Sequence, residues 1–218
     1  MEADLRLYAL LDPMVAGGRT LADLATRVAG SATLVQLRDK HASTRAMVEE
    51  ARALRAVLEP VGIPLLINDR VVVALAAEAD GVHIGQDDMA AEDARLLLGR
   101  TAIIGLSVRS LAEAEAAPLK YIDYVAVGAV FATGSKDDAS APIGLESLRV
   151  IVAAVHARAP GFPICAISGI NEGNAADVIA AGADGVAVIS ALSLAPDPGK
   201  AAQDLRAVVD DALQRHQI

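Results

Sequence analysis

Short runs of branched aliphatic residues alternate with amphipathic stretches along the whole chain. Eight runs are typical of buried β-strands, because parallel strands covered on both faces are continuously apolar. We predict these strands at 5–10, 33–37, 64–67, 81–84, 102–106, 124–127, 163–167 and 185–189. The stretches between them have helical periodicity, and Gly, Pro, Asn and Asp mark the junctions. We predict helices at 21–29, 44–59, 71–77, 91–98, 111–116, 145–157, 174–181 and 200–215.

Eight strand-helix pairs indicate an α/β protein with a single (β/α)₈ TIM barrel over residues 1–218. An open, doubly wound sheet is the alternative, because sequence does not show closure. Residues 76–82 and 180–186 both contain Ala-Asp-Gly-Val and lie four units apart. Duplication of a half-barrel would place them so, and a repeated turn at a helix exit would produce the same match.

The charge balance restricts the partners. The chain has 28 Asp and Glu against 19 Lys and Arg, a net charge of −9, so we expect no nucleic-acid partner. No apolar run is long enough for a membrane span, and the first residues lack a secretory signal. The single cysteine, Cys165, excludes an intrachain disulfide and lies in an apolar strand. We therefore expect a cytoplasmic protein, and a homo-oligomer remains open.

Two acidic positions follow neighbouring predicted strands. Asp69 follows the third strand and Asp88 follows the fourth. Because the carboxyl ends of parallel strands meet at one edge, these side chains could share a hard cation such as Mg²⁺. Alternatively, each could cap the helix that follows it.

Basic and polar side chains follow other strands. Gln36, Arg38 and Lys40 alternate at the end of the second strand and so could project toward one ligand, for which a diphosphate is suitable. Ser107, after the fifth strand, could cap a helix or contact the ligand. His83, within the fourth strand, indicates a packed or hydrogen-bonded residue.

A second anion site is predicted at the last strands. Gly near a helix start lets the backbone approach a phosphate, and this barrel commonly binds phosphate after strands seven and eight. Residues 131–142 form a long loop rich in Gly, Ser and Thr, which we predict to be a lid. The candidates for this second site are Gly169, Ile189 and Ser190, whereas Thr133, Ser135 and Lys136, which follow the sixth strand, are suited to phosphate oxygens at the first, basic site.

Several motifs in order resemble those of the thiamine-phosphate synthase family. They are Gln36-Leu-Arg-Asp-Lys40, Ile67-Asn-Asp-Arg70, Asp80-Gly-Val-His-Ile-Gly-Gln-Asp-Asp88, Val127-Gly-Ala-Val-Phe-Ala-Thr-Gly-Ser-Lys136 and Gly185-Val-Ala-Val-Ile-Ser190. The resemblance implies a (β/α)₈ barrel that joins 4-amino-2-methyl-5-hydroxymethylpyrimidine diphosphate to thiazole phosphate, giving thiamine phosphate and pyrophosphate. This chain departs from the family pattern at Ser168, where a Gly is usual, and at Leu11, where a Thr is expected.

The resemblance also implies roles for individual residues. Mg²⁺ would be held by Asp69 and Asp88. Arg38, Lys40 and Lys136 would stabilise the charge that develops on the leaving pyrophosphate. The pyrimidine diphosphate would be held by Gln36, Arg38, Lys40, Asn68, Ser107 and Lys136, and the thiazole phosphate by Thr133, Ser135, Gly169, Ile189 and Ser190.

Two other functions compete with this interpretation. A related thiazole tautomerase shares the barrel but needs neither diphosphate nor metal. It is disfavoured because this chain has both acidic positions, Asp69 and Asp88, and all three basic residues, Arg38, Lys40 and Lys136. In addition, this chain has Ala129 just before Val130-Phe131, where the tautomerase resembles a site that carries a His. The other alternative is a non-catalytic barrel that binds a phosphorylated metabolite.

Overall fold

The computed structural model describes residues 3–134 and 141–216. Eight strands form one parallel sheet in chain order. They are β1 (Leu7–Leu11), β2 (Leu34–Leu37), β3 (Leu65–Asn68), β4 (Gly81–Ile84), β5 (Ile103–Val108), β6 (Tyr124–Val127), β7 (Ile164–Ile167) and β8 (Gly185–Val188). The α-helices are α1 (Leu21–Val28), α2 (Thr44–Leu58), α3 (Val71–Ala77), α4 (Ala91–Leu98), α5 (Leu111–Ala116), α6 (Gly144–Arg158), α7 (Ala175–Ala180), α8 (Ser190–Ser193) and α9 (Pro198–His216).

The sheet closes on itself. Strand β1 pairs in parallel with β2 on one side and with β8 on the other, so the barrel has no free edge. The (β/α)₈ prediction is confirmed, and the open doubly wound sheet is wrong. All the predicted strands and helices are present, with ends within two residues of the prediction. The sequence did not predict α8 or the short 3₁₀ helices Pro13–Val15 and Glu59–Val61.

Helix α2 shows why the amphipathic stretches fold as they do. Its buried residues Met47, Ala51, Leu54 and Leu58 recur every three or four positions and so form one apolar face. Ser43 caps its first turn by accepting a hydrogen bond from the backbone N–H of Ala46. Within residues 3–134 and 141–216, no helix combines the length and the apolar character that a membrane crossing requires.

Alternate residues of each strand contribute to two separate cores. Side chains that point outward, such as Leu37 and Ile67, pack under the helices. Side chains that point inward, such as Tyr8, Tyr124 and Cys165, fill the barrel interior. Because both faces are buried, the strands appear as continuous apolar runs in the sequence. Cys165 is fully buried, as its position in an apolar strand predicted.

The repeated segments share one structural role. The Oδ2 atom of Asp80 accepts a hydrogen bond of 2.8 Å from the backbone N–H of Leu65, and Asp184 accepts one of the same length from Ile164. Asp123 makes the same contact with the N–H of Ile104, although its segment is not part of the repeat. Each aspartate therefore fixes the start of the preceding strand, and this shared contact is a local reason for the repeated Asp.

Candidate active site

A polar cavity of about 260 Å³ opens where the strands end. Seven of the residues predicted to bind substrate or metal line it together, although the chain separates them by up to 71 positions. They are Gln36, Arg38, Lys40, Asn68, Asp69, Asp88 and Ser107. The carboxyl ends of the strands are where barrels of this kind place their working residues.

The basic side chains come from the end of β2. Gln36, Arg38 and Lys40 all line the same cavity, as their alternation predicted. Arg38 is buried and donates a hydrogen bond to the carboxylate of Asp12, which is 2% exposed. Asp12 also accepts a hydrogen bond of 2.9 Å from the N–H of Met14. The guanidinium of Arg38 is therefore held by a carboxylate that is itself anchored to the backbone.

The two carboxyl groups predicted to bind metal lie side by side. Asp69 follows β3, Asp88 follows β4, and they are close enough to share a hydrogen bond. Burial, followed by the charge of Asp88 and that shared hydrogen bond, raises the pKa of Asp69 to about 6. The ammonium of Lys40 lies 3.8 Å from Asp69 Oδ2 and partly offsets this rise. The pair thus carries repulsion that a cation would relieve.

Neither aspartate caps a helix. Arg70 precedes α3 and Ala90 precedes α4, and neither helix has a side-chain cap. Asp88 instead accepts a hydrogen bond of 2.7 Å from the N–H of Gly85. Asp69 has a left-handed backbone, with φ of +62°, which is uncommon for a residue other than glycine. The capping alternative is therefore wrong for both residues.

The two carboxylates, Asp69 and Asp88, fit Mg²⁺ better than a metal whose ligands must all come from the protein. Across residues 3–134 and 141–216, no group of three or more His, Cys, Asp or Glu side chains is arranged to hold a metal ion. Mg²⁺ is commonly bound by one or two carboxylates, with waters and substrate phosphates completing its shell. Asp69 and Asp88, at the mouth of a cavity with room for a ligand, match that pattern.

Ser107 lies inside β5, and Ser110 is the residue that caps α5. The Oγ atom of Ser107 lies 2.9 Å from Nε2 of His83. The carbonyl oxygen of Ser107 accepts a hydrogen bond of 2.6 Å from the side-chain amide of Gln86. Ser107 therefore faces the cavity and does not cap a helix. His83 is hydrogen-bonded, as predicted, but its partners were not apparent from the sequence. Gln86 was also not singled out.

A second, smaller recess adjoins the first cavity, and Ile167 and Ser168 line both. It brings together four of the residues predicted to bind the second phosphate, which are Thr133, Gly169, Ile189 and Ser190. A Cβ atom on Gly169 would lie 2.5 Å from the carbonyl oxygen of Ala132, and φ there is +67°. Only glycine lets these two loops approach so closely.

The structure also adds a helix at this recess. Ser190 is the first residue of α8, which the sequence analysis did not predict. The first backbone N–H groups of a helix lack partners within the helix, so they suit an anion. Ser135 and Lys136 lie outside the described residues, as do residues 135–140 of the predicted lid.

Fold and site together place the chain among (β/α)₈-barrel proteins with a polar cavity at the carboxyl ends of the strands. Residues 7–192 match the sequence model of the family described as thiamine monophosphate synthase. The chain belongs to this family, whose members are transferases of thiamine biosynthesis.

Individual relatives agree over nearly the full length. The thiamine-phosphate synthase of Chloroflexus aurantiacus is 51% identical over 207 residues, which cover 94% of this chain and 93% of that protein. The thiamine-phosphate synthase of Agrobacterium fabrum is 48% identical and covers 99% of both chains. The structure of thiamine phosphate pyrophosphorylase from Pyrococcus furiosus superposes with a TM-score of 0.83 at 39% identity, covering 97% of this chain and 98% of that one.

Proposed function

We propose that this protein joins 4-amino-2-methyl-5-hydroxymethylpyrimidine diphosphate to thiazole phosphate, releasing thiamine phosphate and pyrophosphate. The observation that carries the proposal is the convergence of the acidic pair, Asp69 and Asp88, with Arg38 and Lys40 on one cavity. A recess containing Gly169 adjoins that cavity. The first site suits a diphosphate with its metal, and the second suits a monophosphate.

The diphosphate would lie against the basic side of the cavity. Arg38 would present a guanidinium already fixed by Asp12, so little side-chain freedom would be lost on binding. Lys40 would add a second positive charge beside the first carboxylate. Gln36, Asn68 and Ser107 would contact the rest of the pyrimidine substrate, and Lys136 would complete the basic set.

Asp69 and Asp88 would hold Mg²⁺, which when bound would neutralise diphosphate oxygens and stabilise the leaving pyrophosphate. Its binding would require both carboxylates to be ionised, and with a pKa of about 6 Asp69 would lose its proton near neutral pH. Lys40, at 3.8 Å from Asp69, would favour that ionised form.

The chemistry would then follow from positioning and charge. The CH₂–O bond of the pyrimidine breaks, its electron pair leaves with pyrophosphate, and the aminopyrimidine ring stabilises the carbocation. Arg38, Lys40 and Lys136 would stabilise the growing negative charge of the leaving group. Thr133, Ser135, Gly169, Ile189 and Ser190 would hold the thiazole phosphate so that its ring nitrogen captures the carbon.

No protein nucleophile is needed for this reaction. Cys165 is buried in the barrel interior, and burial raises the pKa of its thiol well above the ordinary value. The ring nitrogens of His83 lie within hydrogen-bond distance of the Tyr124 hydroxyl and of Ser107 Oγ, an arrangement unlike the Ser-His-Asp order of a catalytic triad.

Residues 1–218 would act as one catalytic domain in the cytoplasm, on small molecules alone. The net charge of −9 supports the absence of a nucleic-acid partner, and the single buried cysteine is compatible with a reducing compartment.

The test is to incubate the purified protein with both substrates and Mg²⁺ and to follow the products by mass spectrometry. The expected result is thiamine phosphate and pyrophosphate in equal amounts. Failure to form either product would contradict the proposal. Isomerisation of the thiazole without metal would instead indicate the tautomerase, and binding of either phosphate without turnover would indicate the metabolite-binding barrel.

A further inference from the structure

A chain of hydrogen bonds crosses the barrel interior beneath the polar cavity. It begins at Gln36, whose amide nitrogen donates to the hydroxyl of Tyr8. The hydroxyls of Tyr8 and Tyr124 lie 3.0 Å apart, and the Tyr124 hydroxyl lies 2.9 Å from Nδ1 of His83. It ends at Ser107, whose Oγ lies 2.9 Å from Nε2 of His83. Gln36 and Ser107, the two ends of this hydrogen-bond chain, both line the cavity.

Ring packing and burial fix the positions of Tyr8 and Tyr124, the two phenols in the middle of the hydrogen-bond chain. Tyr124 stacks on the imidazole of His83 with ring centroids 5.6 Å apart, and it meets the ring of Tyr8 edge-on at 5.9 Å. The space that the Tyr124 ring occupies exists because residue 105 is glycine, where a Cβ atom would lie 2.0 Å from the ring. Neither tyrosine is more than 1% exposed, so water does not compete for the hydroxyls.

Both phenols keep their hydrogens. Burial raises the pKa of Tyr8 and of Tyr124 well above the ordinary value. Each hydroxyl therefore has one hydrogen to donate and must also accept. Because a hydroxyl hydrogen can rotate, the distance between two oxygens does not fix the direction of their hydrogen bond. The direction of these hydrogen bonds is fixed by the groups at the two ends of the hydrogen-bond chain.

The Gln36 end sets the direction. Its amide nitrogen faces Tyr8, and its Oε1 atom is buried without a hydrogen-bond partner among the described residues. The Tyr8 oxygen accepts from that nitrogen. A hydrogen bond from Tyr124 to Tyr8 would leave the buried Tyr8 hydrogen without an acceptor, so the direction that satisfies both hydroxyls runs from Tyr8 to Tyr124. The Tyr124 hydrogen is then left for Nδ1 of His83, since every buried donor must be satisfied.

We propose that Tyr124 is a positioning residue that holds His83 as the Nε2–H tautomer, and that this tautomer turns the hydroxyl hydrogen of Ser107 toward the cavity. Nε2–H donates to Ser107 Oγ, so the serine hydrogen is available to a ligand atom. The opposite tautomer would take that hydrogen for itself, and Ser107 would offer only lone pairs.

The hydrogen-bonding character of Gln36 at one end of the hydrogen-bond chain is therefore coupled to that of Ser107 at the other end. The Gln36 end presents an acceptor, Oε1, and the Ser107 end presents a donor. This pairing selects a substrate that carries a hydrogen-bond donor near Gln36 and an acceptor near Ser107. The inference rests on the proposed function for the identity of that substrate, but the state of His83 does not depend on it.

The first test therefore uses the protein without substrate. Nitrogen-15 NMR of protein labelled at its histidine rings reports which ring nitrogen carries hydrogen, and a His83→Asn variant assigns the signal among the four histidines. The expected result is neutral His83 with hydrogen on Nε2. Hydrogen on Nδ1, or a doubly protonated ring, would overturn the proposal even if the protein is an active synthase.

The same spectrum of Tyr124→Phe provides the comparison. This change removes one oxygen and leaves the ring that fills the gap at Gly105, so the barrel should remain folded. The Nδ1 partner is lost, and the His83 signal should shift toward a mixture of tautomers. Tyr121→Phe is the matched control, because its hydroxyl donates to Glu92 on the surface, and it should leave the His83 signal unchanged.

The second test is a double-mutant cycle on kcat/KM. Tyr124→Phe and Ser107→Ala should each lower kcat/KM about tenfold, the effect of losing one oriented hydrogen bond. Because Tyr124 acts through Ser107, the double variant should be no worse than Ser107→Ala alone. A hundredfold loss in the double variant would mean independent effects and would overturn the positioning role.

Discussion

The ammonium nitrogen of Lys40 lies 3.8 Å from the Oδ2 atom of Asp69 at the mouth of the barrel. The Lys40 side chain is 43% exposed, and an ion pair so open to water adds little to folding stability. The contact therefore concerns the site and not the fold. Under the proposed function, it would bring a cation for the diphosphate next to a carboxylate for the metal.

Lys40→Ala should separate function from stability. We expect kcat/KM to fall by about a hundredfold or more, because a charge that stabilises the leaving group is lost. The free energy of unfolding should change by no more than about 0.5 kcal/mol. Steady-state kinetics and urea unfolding measure the two effects. Lys120→Ala, on the surface beside Tyr121, is the matched control and should change neither quantity appreciably.

The carboxyl pair should be visible in the pH dependence of stability. The folded pKa of Asp69 is about 6, above its ordinary value of 3.8, so the folded state binds this proton more tightly than the unfolded state. Ionisation of Asp69 therefore reduces stability as pH rises from about 4 to about 6, and the loss remains constant above that range.

Asp69→Asn should remove this loss. In metal-free buffer the variant should be more stable than the unmodified protein above pH 6, and the difference should shrink as pH falls toward 4. Thermal melts across that range measure it. Asp93→Asn removes an exposed carboxylate in the first turn of α4 and should not reproduce the pattern. A difference between Asp69→Asn and the unmodified protein that is independent of pH would contradict the assigned cause.

The buried pair of Arg38 and Asp12 should matter for folding. Asp12→Ala removes the buried carboxylate that the guanidinium of Arg38 contacts, which costs about 3 kcal/mol of unfolding free energy. Asp23→Ala breaks an ion pair with Arg27 on the surface of α1, and its effect should be much smaller. Chemical unfolding of both variants tests the contrast, and equal losses would count against burial as the cause.

Ser168 should be a strained position. Its φ is +83°, in the left-handed region that favours glycine. Ser168→Gly should raise the free energy of unfolding by about 1 kcal/mol. Ser168→Ala keeps the strain and removes only the hydroxyl, so it should not be stabilising. If the alanine variant gained as much as the glycine variant, strain would not be the explanation.

Most of the barrel could be predicted from the sequence because its signals are local. The strands are short apolar runs, and the amphipathic stretches between them have one apolar face each. The positions of Asp69 and Asp88 followed from one topological rule, that carboxyl ends of parallel strands meet. The short helix α8 escaped prediction because four residues are too few to show a period.

The hydrogen-bond chain from Gln36 to Ser107 could not be predicted in the same way. Tyr8 and Tyr124 lie in apolar runs 116 positions apart, and nothing local distinguishes them from core residues. Their meeting depends on strand register across the closed barrel, and on the room left by Gly105. A contact that depends on closure cannot be derived from periodicity alone.

Asp69 and Asp88 are proposed to bind the metal that supports departure of pyrophosphate, and the proposed reaction depends on this site more than on any other. The direct measurement is pyrophosphate release from both substrates as a function of Mg²⁺ concentration, in the unmodified protein and in Asp88→Asn. We predict no release in excess chelator, recovery with Mg²⁺, and at least a tenfold higher Mg²⁺ requirement in the variant. Equal release with and without Mg²⁺, or the same Mg²⁺ requirement in both proteins, would contradict it.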